Sequence, residues 1–219
     1  MTSKRIVIVG GTGGIGKDIS PLLMDKGYYV VSLSSKDVDL TSVPSIRNCL
    51  KKVLPAGALI NLATVSIDST LHKLDGDNYE GLDKQLNVNI RGSSILVNEF
   101  AKSARESKIG KYIYVSSILS DSPVPGAGIY SACKAYNDNL VRTAALENAK
   151  IPGVTFNSIQ LGYFGSGLCE RLSPEMKEYA LKTIPVKRFG NPKELVDLIE
   201  LIINNDYITG QNIKLAGGL

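Results

Sequence analysis

A β-branched run, Ile6-Val7-Ile8-Val9, stops at Gly10-Gly11-Thr12-Gly13-Gly14-Ile15-Gly16, and a helical pattern begins at Lys17-Asp18-Ile19. Strand, glycine turn and helix in that order limit the fold more than any other stretch of the chain. Glycines let a backbone approach a pyrophosphate closely, and the helix that follows aims its N-terminal amides and its dipole at the anion. The context is the one a glycine motif needs before it counts as a dinucleotide cradle. Gly11, Gly13 and Gly16 satisfy G-x-G-x-x-G, and the candidate contacts are Gly10, Thr12, Gly13, Gly14, Ile15 and Gly16. Taken alone, the turn also suits some other α/β protein.

The second strand reads as Gly27 to Lys36. A site selective for NAD usually carries an acid about 20 residues past the glycines, bonding the ribose 2′-hydroxyl. This chain has Ser34, Ser35 and Lys36 there instead. Hydroxyls and a cation suit a 2′-phosphate, so NADP(H) is favoured over NAD(H), with Arg5 a more distant candidate. The plainer reading leaves Lys36 as a solvated loop residue.

A chain of 219 residues and 23.5 kDa fits one domain with one core. The net charge of +4 is spread without long runs, which argues against a nucleic-acid stripe. Cys49, Cys133 and Cys169 lack metal spacing and His72 is the single histidine, so no metal site is expected. The start, MTSKRIVIVGG, enters a strand directly, and no apolar run is long enough to span a bilayer. The expectation is a cytoplasmic protein with reduced thiols and no membrane partner.

The stretch KYIYVSSILSDSPVPGAGIYSACK, Lys111 to Lys134, carries the chemistry. A buried strand, Tyr112 to Val115, delivers Ser116 and Ser117 at its carboxyl end, where ligands sit in open α/β sheets. Tyr130 and Lys134 follow at i and i+4, one turn apart on one helix face. A phenol titrates near pH ~10, so a neighbouring cation that favours phenolate would tune it as an acid/base. Lys134 is that cation, and Ser117 would hydrogen-bond the oxygen that receives the proton. By itself, YxxxK also occurs by chance on amphipathic helices.

Serines at a strand end, thirteen residues, then YSACK resemble the short-chain dehydrogenase/reductase family. The resemblance implies that Ser117 positions a carbonyl, that Tyr130 is the acid/base, and that Lys134 tunes Tyr130 and holds the nicotinamide ribose. It extends along the chain. Gly10, Gly14 and Gly16 fit the family's TGxxxGxG with Val9 for its Thr, while Gly10, Gly13 and Gly16 fit the longer sugar-epimerase relatives. Asp39-Leu40-Thr41 resembles the D-[VL]-T segment at adenine, although only two residues separate it from Lys36. Parallel strands need about a dozen residues of connection. The third strand is therefore either vestigial or unpaired.

Ala58 to Thr64 matches the family's NNAG segment through Asn61 and Ala63, on the adenosine side. A long helix is expected from Asn78 to about Ser107, with Asn89 matching the family Asn that holds a relay water to Lys134. After the strand Val154 to Gln160, LGYFGS resembles PGxIxT, which implies that Gly162, Phe164 and Ser166 clasp the nicotinamide end. Residues from about 163 to 185 read as a mobile substrate lid, with a helix from Leu168 to Lys182. IPVKRFGNP and ITGQNIKLAGG match the endings of the short members, with Asn191 as a helix cap and Ala216 in place of Asp.

The fold expected is a single α/β domain over residues 1–219: a Rossmann-type doubly wound parallel sheet flanked by helices, with a shortened connection after the second strand. The implied activity is hydride transfer between NADP(H) and a small-molecule carbonyl or alcohol, with Asn89, Ser117, Tyr130 and Lys134 as the catalytic set. A homodimer or homotetramer is implied through the Asn89 and Tyr130 helices, whose apolar residues otherwise simply cover the sheet. Two alternatives are a dinucleotide-binding regulator and a sugar-nucleotide epimerase or dehydratase.

Overall fold

The computed structural model describes residues 2–74 and 76–219. Its six strands are β1 (Arg5–Val9), β2 (Tyr29–Leu33), β3 (Ala58–Asn61), β4 (Gly110–Ser117), β5 (Val154–Leu161) and β6 (Asn212–Leu215). All pair in parallel, in the order β2-β1-β3-β4-β5-β6. Parallel strands covered on both faces read as continuous apolar runs, which is why Ile6 to Val9 and Ala58 to Ile60 show no polar alternation. Successive side chains still point to opposite faces, and this divides the core into two layers. Val7, Val9, Leu59, Tyr112, Tyr114 and Phe156 pack under one helical layer. Ile6, Ile8, Ile60, Ile113, Val115 and Ile159 pack under the other.

The first layer contains α2 (Val43–Val53), α4 (Ser93–Ser107) and α5 (Gly128–Asn148). The second contains α1 (Gly16–Asp25) and α7 (Pro192–Ile203). The expected cap of α7 is present: Asn191 and Glu194 form a capping box, with Pro192 at the first helical position. Because β2 and β3 flank β1 on opposite sides, the strand order reverses at β1, and a crevice opens at the carboxyl ends of β1 and β3.

One segment settles an alternative that the sequence leaves open, and two depart from expectation. Asp39-Leu40-Thr41 forms no strand, and β2 is the edge of the sheet. The chain goes straight into α2, capped by Ser42 accepting from the Ser45 amide at 3.3 Å. The linking segment is moored instead at Gly92, where a Cβ would lie 2.4 Å from the Leu40 carbonyl oxygen. The long helix is also interrupted: α3 (Gly76–Leu86) passes through a π-helical turn, Asn87–Gly92, into α4. Finally, the lid region is a 3₁₀ turn, Gly167–Arg171, followed by α6 (Pro174–Thr183). In α6, Met176 and Tyr179 are exposed while Ala180 is buried, and the Leu168 side chain lies outside the described residues.

On α5, Val141, Ala144 and Ala145 cover the sheet, whereas Tyr136 and Leu146 are exposed. Among the described residues, no helix is long and apolar enough to cross a membrane, and no group of His, Cys, Asp or Glu could hold a metal ion.

Candidate active site

The glycine turn follows β1 and is drawn tight where α1 begins. A Cβ on Gly16 would lie 2.4 Å from the Gly10 carbonyl oxygen, so only glycine fits there. Above Gly13 nothing lies within 4 Å of where a Cβ would be, so the turn has an open face. Thr12 and Gly13 are exposed. The neighbouring strand end is tied in: the Leu62 amide donates to Val9 at 2.9 Å, and Asn61 Oδ1 accepts from the Ala63 amide at 3.1 Å. Asn61 is fully buried, and its Nδ2 donates to Ser93 Oγ (3.2 Å) and the Tyr112 hydroxyl (3.4 Å), so its side chain braces the sheet.

At the end of β2, Ser34 is engaged by a residue that the sequence reading passed over. Asp37 Oδ2 accepts from the Ser34 amide (2.8 Å) and from its hydroxyl (2.6 Å), and these two bonds hold the Asp37 carboxyl below its usual range. Ser35 and Lys36 are exposed. Beside them lies an open groove of about 490 Å³ lined by Lys36, Asp37, Asn48 and Lys52. Asp39 turns onto Thr41, accepting from its amide (2.9 Å) and hydroxyl (2.7 Å), while the Leu40 side chain is in the core.

Tyr130 and Lys134 lie together at the carboxyl end of β4, beside Ser117. Both are buried, at 8% and 3% exposure. Lys134 Nζ donates to the Val115 carbonyl at 2.8 Å and sits over the rings of Tyr114 (4.7 Å) and Tyr130 (5.4 Å). Burial pushes the Tyr130 phenol up to about 12, against a downward pull from its hydrogen bond with Ser117; Asp68 and Cys169 push it the same way as burial. Burial also brings Lys134 down to about 8, against an upward pull from Asp138 and Cys133. Tyr130 is thus raised, rather than lowered by Lys134 as expected. Desolvation of the buried phenolate outweighs the downward pull of its Ser117 partner.

Asn89 is buried close by, but its side chain does not reach toward Lys134. It accepts from the Val65 amide (2.8 Å) and donates to the Val65 carbonyl (2.7 Å), fixing the loop after β3. The π turn frees the Asn89 backbone carbonyl from the helical ladder, and Asn137 Nδ2 takes it at 2.7 Å. The Asn89 carbonyl thus has one donor, Asn137, and keeps a second lone pair.

At the end of β5, Gly162 packs so closely on Ala216 that a Cβ would lie 2.8 Å from its Cα. Phe164 is 4% exposed and belongs to the core layer, with its ring against Gly190, so a place beside a nicotinamide falls to its backbone. Ser166 is 7% exposed and its Oγ has no hydrogen-bond partner. Next to it, the 3₁₀ turn after β5 meets the glycine turn. A Cβ on Gly167 would lie 3.2 Å from the Ile15 nitrogen, and Lys17 pairs with Glu170 at 3.3 Å.

An open glycine turn over a helix N-terminus, an orphaned hydroxyl at Ser166 and a buried Tyr–Lys pair on one sheet edge define a dinucleotide-fold protein with an acid/base site. Residues 37–219 match the family described as enoyl-(acyl carrier protein) reductase. The chain belongs to this family of short-chain dehydrogenases/reductases. It is 26% identical to the 3-oxoacyl-(acyl-carrier-protein) reductase FabG of Rickettsia conorii over 239 residues, covering 100% of this chain and 98% of that protein. The corresponding reductase MabA of Mycobacterium tuberculosis is also 26% identical, over 233 residues, covering 99% and 93%. Two solved structures share the fold at a TM-score of 0.85. One is a small-chain dehydrogenase in complex with NADPH (19% identity, 98% and 97% covered), the other ElxO with NADP bound (21%, 98% and 97%).

Proposed function

We propose that the chain is an NADPH-dependent ketoreductase acting on 3-oxoacyl thioesters or ketones of similar shape. The observation that carries this is the buried Tyr130 and Lys134 pair beside the half-buried Ser117 at the carboxyl end of β4. At a pKa near 12, Tyr130 is protonated across the physiological range, which suits it to give a proton to a carbonyl oxygen rather than to take one. Ser117 orients that oxygen, and Lys134 supplies positive charge beneath it.

Gly10, Thr12, Gly13, Gly14, Ile15 and Gly16 would hold the pyrophosphate, with Asn61 and Ala63 along the adenosine wall. Ser34, Ser35 and Lys36 would surround the adenosine ribose, Asp39 and the Leu40 backbone would lie at adenine, and Gly162, the Phe164 backbone and Ser166 at the carboxamide end. The bound dinucleotide supplies the hydride. Gly167 lies over Ile15, so the lid must shift to admit it. The relatives named as 3-oxoacyl-(acyl-carrier-protein) reductases support the thioester class. A homodimer or homotetramer in the cytoplasm, with the exposed Tyr136 and Leu146 of α5 at an interface, fits the same reading.

NADPH oxidation measured across 3-oxoacyl thioesters, keto sugars and cyclic ketones, with cofactor binding followed in the same samples, tests it. Turnover on the thioesters that is lost in Tyr130→Phe is the expected result. Cofactor binding without turnover in either direction would instead make the chain a dinucleotide-binding regulator.

A further inference from the structure

A second buried charge lies beneath the Tyr–Lys pair. Asp138 is one turn beyond Lys134 on α5, on the face that carries Tyr130 and Lys134, and is 3% exposed. Gln160 of β5 holds it, donating Nε2 to Asp138 Oδ2 at 2.9 Å. The same amide reaches Ser120 Oγ (2.8 Å) and Asp121 Oδ1 (3.2 Å), and Asp121 pairs at the surface with Lys214 of β6 at 3.0 Å. Among the described residues, Asp138 Oδ1, Gln160 Oε1, Ser116 Oγ and Ser131 Oγ have no hydrogen-bond partner. One neutral amide is slender compensation for a buried carboxylate, which ordinarily requires a cation or several donors. Lys214 is occupied by Asp121, which leaves Lys134 as the cation one turn away.

We propose that Asp138, anchored by Gln160, is a positioning residue that keeps Lys134 protonated at neutral pH. Its kinetic consequence rests on the ketoreductase reading; the titration of Lys134 does not. Lys134 is faced on its own helix by Tyr130, Cys133 and Asp138, and from β4 by Tyr114. The groups contributed by β5 and the π turn, Gln160 and Asn89, are neutral, and Asp121 stands behind Gln160 already paired. Asp138 is therefore the carboxylate, one helical turn away, whose charge acts on the amine. It opposes the desolvation that lowers the amine, and removing it lets Lys134 fall further toward neutrality.

The test follows Lys134 by side-chain nitrogen NMR in lysine-labelled protein, its signal assigned by its loss in Lys134→Met. In Asp138→Asn the midpoint is expected to fall by about one unit or more, and Asp138→Glu to recover part of the shift. In NADPH-driven ketone reduction, the high-pH limb of kcat should move down by the same amount. A folded Asp138→Asn protein whose Lys134 midpoint stays within about 0.3 unit of the parent overturns the proposal. Should that variant not fold, Gln160→Met takes its place. Without its Gln160 anchor the carboxylate is no longer held beside the amine, so the midpoint is again expected to fall, and an unmoved midpoint again overturns the proposal. A shifted midpoint in a protein that reduces no ketone sustains the role of Asp138 while removing the ketoreductase reading.

Discussion

The two ends of the crevice are built differently. Around Tyr130, the groups stand on β4 and β5, eight-residue strands paired along their whole length, and on a helix of 21 residues. Around Lys36, they stand on a connection that leaves an edge strand of five residues and is held by hydrogen bonds near the surface. Burial makes the first end electrostatically strong, because desolvation pushes the Tyr130 phenol up and the Lys134 amine down. The second end is wet, so its charges are screened and its side chains can exchange partners. On the proposed function, the chemistry falls at the dry end and cofactor discrimination at the solvated one.

The largest effect should come from the dry end. Tyr130→Phe is expected to lower kcat by about 10²- to 10⁴-fold with NADPH affinity unchanged in a fluorescence titration. A comparable loss of binding would mean that the two ends are not separable. Next is a stability effect at Lys134. Its folded pKa, about 8, is below the unfolded 10.5, so between those values the unfolded chain binds the extra proton and stability rises with pH. Lys134→Met should therefore remove an increment of about 1–3 kcal/mol that the parent gains from pH 8 to 10.5, read from urea unfolding at several pH values.

At the wet end the changes should be smaller and confined to the cofactor. Lys36→Glu is expected to shift the NADPH to NADH ratio of kcat/KM by about tenfold, the worth of one exposed charge contact or slightly more. Asp37→Ala frees the amide and hydroxyl of Ser34 for a 2′-phosphate and should tighten NADPH by about two- to fivefold, with NADH little changed. If Asp37→Ala weakened NADPH instead, its hold on Ser34 would be what shapes the phosphate site.

What the sequence made legible follows the same division. The β-branched runs, the glycine turn and the Asn191-Pro192 cap are local signals, and the elements they mark stand where the pattern puts them. The Ser117, Tyr130 and Lys134 group was readable because strand end and helical spacing together bring it to one edge. The pKa of Tyr130 was not: a spacing shows which cation is near but not how much water has been removed. Asp37 was passed over because its contact with Ser34 depends on a tight loop turn, and Asn137 because its amide meets Asn89 only after the helix widens. The contact of Gly167 with Ile15 joins segments about 150 residues apart in the chain, beyond the reach of any local pattern.

The π turn at Asn87–Gly92 has a consequence of its own. Such a turn accommodates one residue more than the α-helical ladder would, a single-residue insertion absorbed without breaking the rod. Deleting one residue there would restore regular α geometry and rotate α3 by about 100° relative to α4, since each residue turns the helix by that angle. The Asn89 carbonyl would return to the ladder and Asn137 would lose its acceptor. The floor beneath Lys134 is thus set by the count of residues in one helix as much as by their chemistry.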